Sequence, residues 1–207
     1  MTTIFGNKLI SSISYSNDEI LESIIHLYAP GGIELDGTYG YGHFYKKITK
    51  PKYKFDTHPK AKGVTVADCR AMPLDSNSIL TAVFDPPFVI SDHKKSAQYI
   101  MMHRYRGFKT VSELREMYRQ SVAEYFRVLK PGGILIVKCQ DMSHGHETNY
   151  FIHNEVFNMA METGFKAVDL FIMLAKNRFL DKRFKQKSAR KFHCYFWVFK
   201  KRKRLLK

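Results

Sequence analysis

Cysteine is scarce in this sequence: three residues in 207, Cys69, Cys139 and Cys194, each alone and far from the others. Thiols spaced this way give neither a disulfide framework nor the paired spacing of a zinc site, so all three read as reduced packing residues. Long apolar runs are also missing, and no stretch approaches the roughly 18 residues of a membrane-spanning helix. The opening Met1-Thr2-Thr3 lacks the basic-then-apolar pattern of a secretory signal, so a cytoplasmic protein without membrane contact is expected. Acidic residues are few beside basic ones, 19 against 34, for a formal charge of +15.

What is present suffices for a core. With 44% hydrophobic and 14% aromatic residues, the chain is expected to form one domain over residues 1–207, stable without metal or disulfide support. The basic excess is local: residues 176–207 hold 14 Lys or Arg against one acid, Asp181. Such a patch attracts polyanions, because each phosphate it neutralises releases condensed counterions, and nucleic acid is the expected partner.

Hydrophobic periodicity supplies the elements. Ser16 and Glu19 form a capping box ahead of Ile20, Leu21, Ile24 and Ile25 at helical spacing. Ile33 to Leu35 reads as a short strand entering the turn Asp36-Gly37-Thr38-Tyr39-Gly40-Tyr41-Gly42, with a helix expected beyond it. Residues 52–56, 64–68 and 79–85 are further strands, each finishing on a carboxylate. A helix from about Ser112 stops at Pro131-Gly132-Gly133, a buried strand runs from Ile134 to Cys139, and a helix over 149–163 is capped by Gly164. Strands at 167–174 and 194–199 close the chain. Alternating strands and helices predict an α/β fold with a parallel sheet, and the last strand pair, with no helix between, is open to antiparallel pairing.

In such a sheet ligands lie outside the carboxyl ends of the strands, where strand order reverses. The glycines of the Asp36 turn, spaced Gly-x-x-Gly-x-Gly, allow a tight bend and close approach to a ligand, but lack the G-x-G-x-x-G of a dinucleotide site. Asp56 follows Asp36 by 20 positions, which suits hydrogen bonding to ribose hydroxyls. Asp68 offers an acceptor for an adenine amino group. Asp85-Pro86-Pro87-Phe88 follows a buried strand, and its two prolines end the ladder and stiffen the loop. The Asp85 carboxylate and the Pro86 carbonyl then face outward beside an aromatic ring, an arrangement for a flat ligand bearing an amino group.

With these residues in place the sequence resembles the amino-methyltransferases, which modify the exocyclic nitrogen of adenine or cytosine in DNA and have relatives acting on RNA. Asp85-Pro86-Pro87-Phe88 resembles their catalytic signature, Asp36 to Gly42 their cofactor loop, and Leu129 to Gly133 the turn before their fifth strand. The resemblance implies a Rossmann-like class I methyltransferase fold, a seven-stranded, mostly parallel sheet with an antiparallel last strand and helices on both faces. It implies S-adenosyl-L-methionine as cofactor, bound by Asp36, Gly37, Tyr39, Gly40, Gly42, Asp56 and Asp68, with Asp85, Pro86, Pro87 and Phe88 catalytic. DNA is favoured over RNA, with adenine ahead of cytosine. An RNA base amino-methyltransferase and an inactive nucleic-acid-binding module of the same fold are the alternatives. Residues 89–110 and 175–193, rich in basic and aromatic side chains, are expected to meet the substrate, with the tail 200–207 holding phosphates. His144 and His146 beside Asp141 and Glu147 lack further convincing ligands, so no metal is expected.

Overall fold

The computed structural model describes residues 9–88, 90, 107–144, 148–176 and 189–203. The capping signal at Ser16 opens helix α1 (Asn17–Tyr28), and the Ser16 hydroxyl accepts the Glu19 N–H at 3.3 Å. Only that half of the predicted box forms. The Glu19 carboxylate takes the Ser14 hydroxyl, and Ser14 Oγ accepts the Ser16 N–H in its place. Helix α2 (Val111–Val128) starts at Thr110, whose hydroxyl accepts the Glu113 N–H. It buries Leu114, Tyr118, Val122 and Tyr125 on one stripe. Helix α3 begins later than its sequence pattern suggests, spanning Ile152–Thr163, and ends at Gly164 with φ 110°, a left-handed conformation that glycine adopts without strain.

The strands are β1 (Ile13–Ser14), β2 (Leu35–Asp36), β3 (Tyr53–Asp56), β4 (Thr65–Val66), β5 (Ile79–Phe84), β6 (Leu129–Cys139), β7 (Met142–His144), β8 (Thr148–Tyr150), β9 (Phe165–Leu174) and β10 (His193–Lys201). Eight of them form one sheet in the order β1-β9-β10-β6-β5-β2-β3-β4. The run from β6 to β4 is parallel, and β10 is antiparallel to both its neighbours. The expected mostly parallel sheet with an antiparallel last strand is therefore present, extended at one edge by the two-residue β1. A separate hairpin pairs β7 with β8, and β8 takes Asn149 and Tyr150, which the sequence pattern assigns to the start of α3.

Two corrections concern local structure. The helix expected after the glycine turn is a single 3-10 turn, His43–Tyr45. Phe44 and Tyr45 are drawn into the core there, and Pro51 follows too soon for a marginal helix to extend. The Pro131-Gly132-Gly133 stop lies inside β6, which pairs at once through Leu129 with Ile79 and resumes at Ile134 with Thr81 after a register shift.

Helices cover both faces of the sheet. On one, α2 and α3 pack on Phe84, Leu135 and Val137; on the other, α1 and the 3-10 turn pack on Val83, Ile136 and Phe196. Phe84 is fully buried, with ring centroids 5.6 Å from Tyr118 and 5.1 Å from Tyr125. All three cysteines are buried. No helix among the described residues is long and apolar enough to cross a membrane. Most of the segments expected to meet the substrate, residues 91–106 and 177–188 with His93 to Arg106, and the tail end 204–207, lie outside the described residues.

Candidate active site

The chain passes from β2 to β3 and β4 on one side of the sheet, then returns to β5 and β6 on the other, so strand order reverses between β2 and β5. A cavity of about 630 Å³ opens at the carboxyl ends of these two strands. Every residue that the resemblance assigns to cofactor binding or catalysis lines it except Gly42. Gly42 has φ 70°, and a side chain there would strike the Tyr39 ring, so it closes the turn from behind.

Asp36 ends β2 at 2% exposure and serves the turn itself. Its Oδ1 accepts the Thr38 N–H at 2.8 Å and its Oδ2 accepts the Tyr45 hydroxyl at 2.7 Å. Burial raises its carboxyl from 3.8 to about 7; the Tyr45 and Thr38 hydrogen bonds oppose that rise and the Asp85 charge adds to it. The native state thus holds a proton that the unfolded chain releases above 3.8, and Asp36 lowers stability as pH climbs from there to about 7. With Asp36→Asn, the melting temperature relative to the parent chain is expected to rise across that window and to level off on either side. Thermal unfolding at a series of pH values measures it.

Two hydroxyls tie the turn to β5. Gly37 N–H donates to the Tyr125 hydroxyl at 3.0 Å, and that hydroxyl donates to Val83 O at 2.9 Å. A Cβ on Gly37 would run into the same oxygen, so glycine is required by this close approach. Thr38 Oγ1 accepts the Asp85 N–H at 2.9 Å and lies 3.3 Å from Asp36 Oδ1, to which it donates. Neither Thr38 nor Tyr125 was singled out from sequence.

Asp56 ends β3, and its two oxygens accept the N–H groups of Gly40 and His58 at 2.9 and 2.7 Å. Each carboxylate oxygen keeps a lone pair for a ligand facing the cavity. Asp68 lies two residues beyond β4 rather than ending it. Arg70 grips both of its oxygens through Nε and Nη2, and this pairing holds the Asp68 carboxyl below the usual range.

Asp85 follows β5 directly, with Pro86 buried and Pro87 and Phe88 half-buried at the cavity wall. Burial pushes the Asp85 carboxyl up, and Lys138 pulls it back. Lys138 Nζ stands 3.6 Å from Asp85 Oδ2, an ion pair longer than a hydrogen bond, and sits over the rings of Phe44 and Phe196 at 4.7 and 5.5 Å. Sequence reading passed over Lys138. The available signal was a lone cation near the carboxyl end of the buried run Ile134 to Cys139.

Asp141, weighed from sequence as a metal ligand, is buried and takes the His153 ring at 2.7 Å and the Tyr195 hydroxyl at 3.3 Å. Glu147 and His146 lie outside the described residues.

No protein-family model and no curated protein sequence matches the chain. Solved structures do resemble it. The [4+2]-cyclase SpnF aligns over 89% of this chain and 81% of its own, with 13% identity and a TM-score of 0.54. The N-methyltransferase NodS from Bradyrhizobium japonicum, solved with S-adenosyl-L-homocysteine, aligns over 86% and 84%, with 14% identity and a TM-score of 0.50. A protein of Thermus thermophilus named for a DNA modification methylase, and solved with S-adenosyl-L-methionine, is matched over 65% of this chain at 15% identity and a TM-score of 0.45. The chain spans about half the length of that protein, 52% of it being covered. The fold is the Rossmann-like one of S-adenosyl-L-methionine-dependent methyltransferases.

Proposed function

We propose that this chain transfers a methyl group from S-adenosyl-L-methionine to an exocyclic amino nitrogen of a base in DNA, with adenine the first base to test and cytosine the second. The observation that carries the reading is the placement of Asp85, Pro86, Pro87 and Phe88 on the wall of the same cavity as the glycine turn and Asp56.

The residues present fit the cofactor. Asp56 keeps acceptor capacity for ribose hydroxyls, and the buried Asn17 Oδ1, from a residue that also lines the cavity, has no hydrogen-bond partner among the described residues and suits an ammonium group. Asp68, held by Arg70, presents its remaining lone pairs to the adenine end. Bound there, the cofactor supplies an electrophilic methyl group on a sulfonium.

The chain's own work is positioning and charge. An aromatic amine is a weak nucleophile because its lone pair is delocalised into the ring. Asp85 and the Pro86 carbonyl accept its two hydrogens and favour a pyramidal nitrogen with a directed lone pair. The Asp85 charge also meets the positive charge that develops on nitrogen, an interaction stronger in the transition state than before it. Phe88 stacks on the base once it has left its helix, a contact of about 1–3 kcal/mol per base.

Incubation with isotope-labelled S-adenosyl-L-methionine and mixed DNA and RNA, followed by mass spectrometry of the nucleosides, tests the reading. Labelled N6-methyladenine or N4-methylcytosine from DNA is the expected product. Label confined to ribonucleosides would transfer the same chemistry to RNA, and cofactor binding without any labelled base would remove the base as acceptor.

A further inference from the structure

The fold divides the basic end of the chain. Of the 14 Lys and Arg residues between 176 and 207, eight precede β10 and six follow its core. Tyr195, near the start of β10, pairs with Cys139 beside Lys138 at the active-site rim, whereas Lys200 pairs with Ile134 and Lys166 at the amino ends of the parallel strands. His193 and Lys200 are seven residues apart on one strand, so roughly 24 Å at about 3.4 Å per residue separates these two positions. Among the described basic residues, Lys176, Arg190 and Lys191 lie toward one rim of the sheet and Lys200, Arg202 and Lys203 toward the other.

At the far rim lies a cleft of about 400 Å³ lined by Lys166, Lys200, Lys201, Arg202 and Lys203, all of them basic. Lys201 is buried and anchors the strand end: its Nζ donates to Phe126 O, Leu129 O and Asn77 Oδ1 at 2.6 to 2.8 Å. The other four are exposed. Like charges gathered this way repel one another and destabilise the free chain. Solvated cations hold a small anion weakly but gain from a polymer, whose condensed counterions they release.

We propose that Lys166, Lys200, Arg202 and Lys203 form a second nucleic-acid backbone contact, on the rim opposite the active site. The proposal rests on the reading of the substrate as nucleic acid and adds a place to it. A base in the cavity brings its own flanking phosphates to the carboxyl rim. The far cleft takes phosphates from a distant part of the same polymer or from another strand.

The test uses the full chain and duplex DNA, measuring binding alone. With duplexes of about one helical turn, ~10 base pairs, sedimentation is expected to show two duplexes per chain, and one for the triple variant Lys200→Gln, Arg202→Gln, Lys203→Gln. With duplexes of several turns, the variant's plot of log affinity against log salt is expected to be shallower by roughly 2–3, since each phosphate neutralised contributes about 0.9. The charge-retaining pair Lys200→Arg and Lys203→Arg should behave as the parent chain. One duplex per chain with an unchanged salt slope in the variant would overturn the second contact and leave the active-site reading standing. No binding by the parent chain would overturn both. Binding to phosphatidylserine vesicles that the triple variant loses, without a change in duplex stoichiometry, would assign the cleft to a lipid surface and overturn the proposal.

Discussion

Replacing Asp85 by alanine is expected to slow methyl transfer by roughly 100- to 1,000-fold, the cost of removing a pre-aimed group that stabilises developing charge, while cofactor affinity stays within a few-fold of the parent. The two effects are expected to separate because the proposed function gives Asp85 to the acceptor base, and the turn at Gly37 and Gly40 with the Asp56 carboxylate to the cofactor. Alanine also strands Lys138, which is only 11% exposed, so some loss of stability accompanies the substitution. Asp85→Asn controls for this. It preserves the shape and one acceptor oxygen but not the charge, and should fall between alanine and the parent chain. Single-turnover kinetics with calorimetric titration of the cofactor separates the two quantities. A turnover near that of the parent from the alanine variant would remove Asp85 from the reaction.

Lys138→Met should change the pH dependence rather than abolish turnover. In the proposed reaction Asp85 meets the positive charge on nitrogen with a full negative charge only when ionised. Burial already favours its protonated form, and the Lys138 ammonium at 3.6 Å opposes that. An opposite charge at such range lowers a carboxyl by about one to three pH units, so its removal should carry the acid limb of kcat/KM upward by a similar amount. Loss is then greatest at low pH and recovers as pH rises past the new limb. Lys138→Arg keeps the charge and should keep the limb in place. An unchanged limb in the methionine variant, with a uniformly lower rate, would reduce Lys138 to a packing role between Phe44 and Phe196.

The legible parts of this molecule are those where chemistry and periodicity agree. Apolar runs that finish on Asp36, Asp56 and Asp85 mark strand ends, because aspartate fits poorly inside a strand and interrupts an apolar, β-prone run. The antiparallel last strand was legible from the lack of a helical sequence pattern between 174 and 193. What escaped has no local signature. The two residues of β1 and the three-residue strands of the β7–β8 hairpin are too short to show a period of two. Asp68 reads as a free acceptor until Arg70 is seen to grip it, a partner only two positions away but set by side-chain direction. Thr38, Tyr125 and Lys138 matter through contacts 42 to 88 positions apart in sequence, or through a neighbouring strand, and only the folded sheet brings them together.

The hydroxyls of Thr38 and Tyr125 join the glycine turn to the end of β5. If the proposed function holds, the span between methyl donor and acceptor nitrogen is written into the sheet. Segments beyond Phe88 can lengthen, shorten or change partner without resetting that span. Selection for a new target and preservation of the reaction act on different parts of the chain.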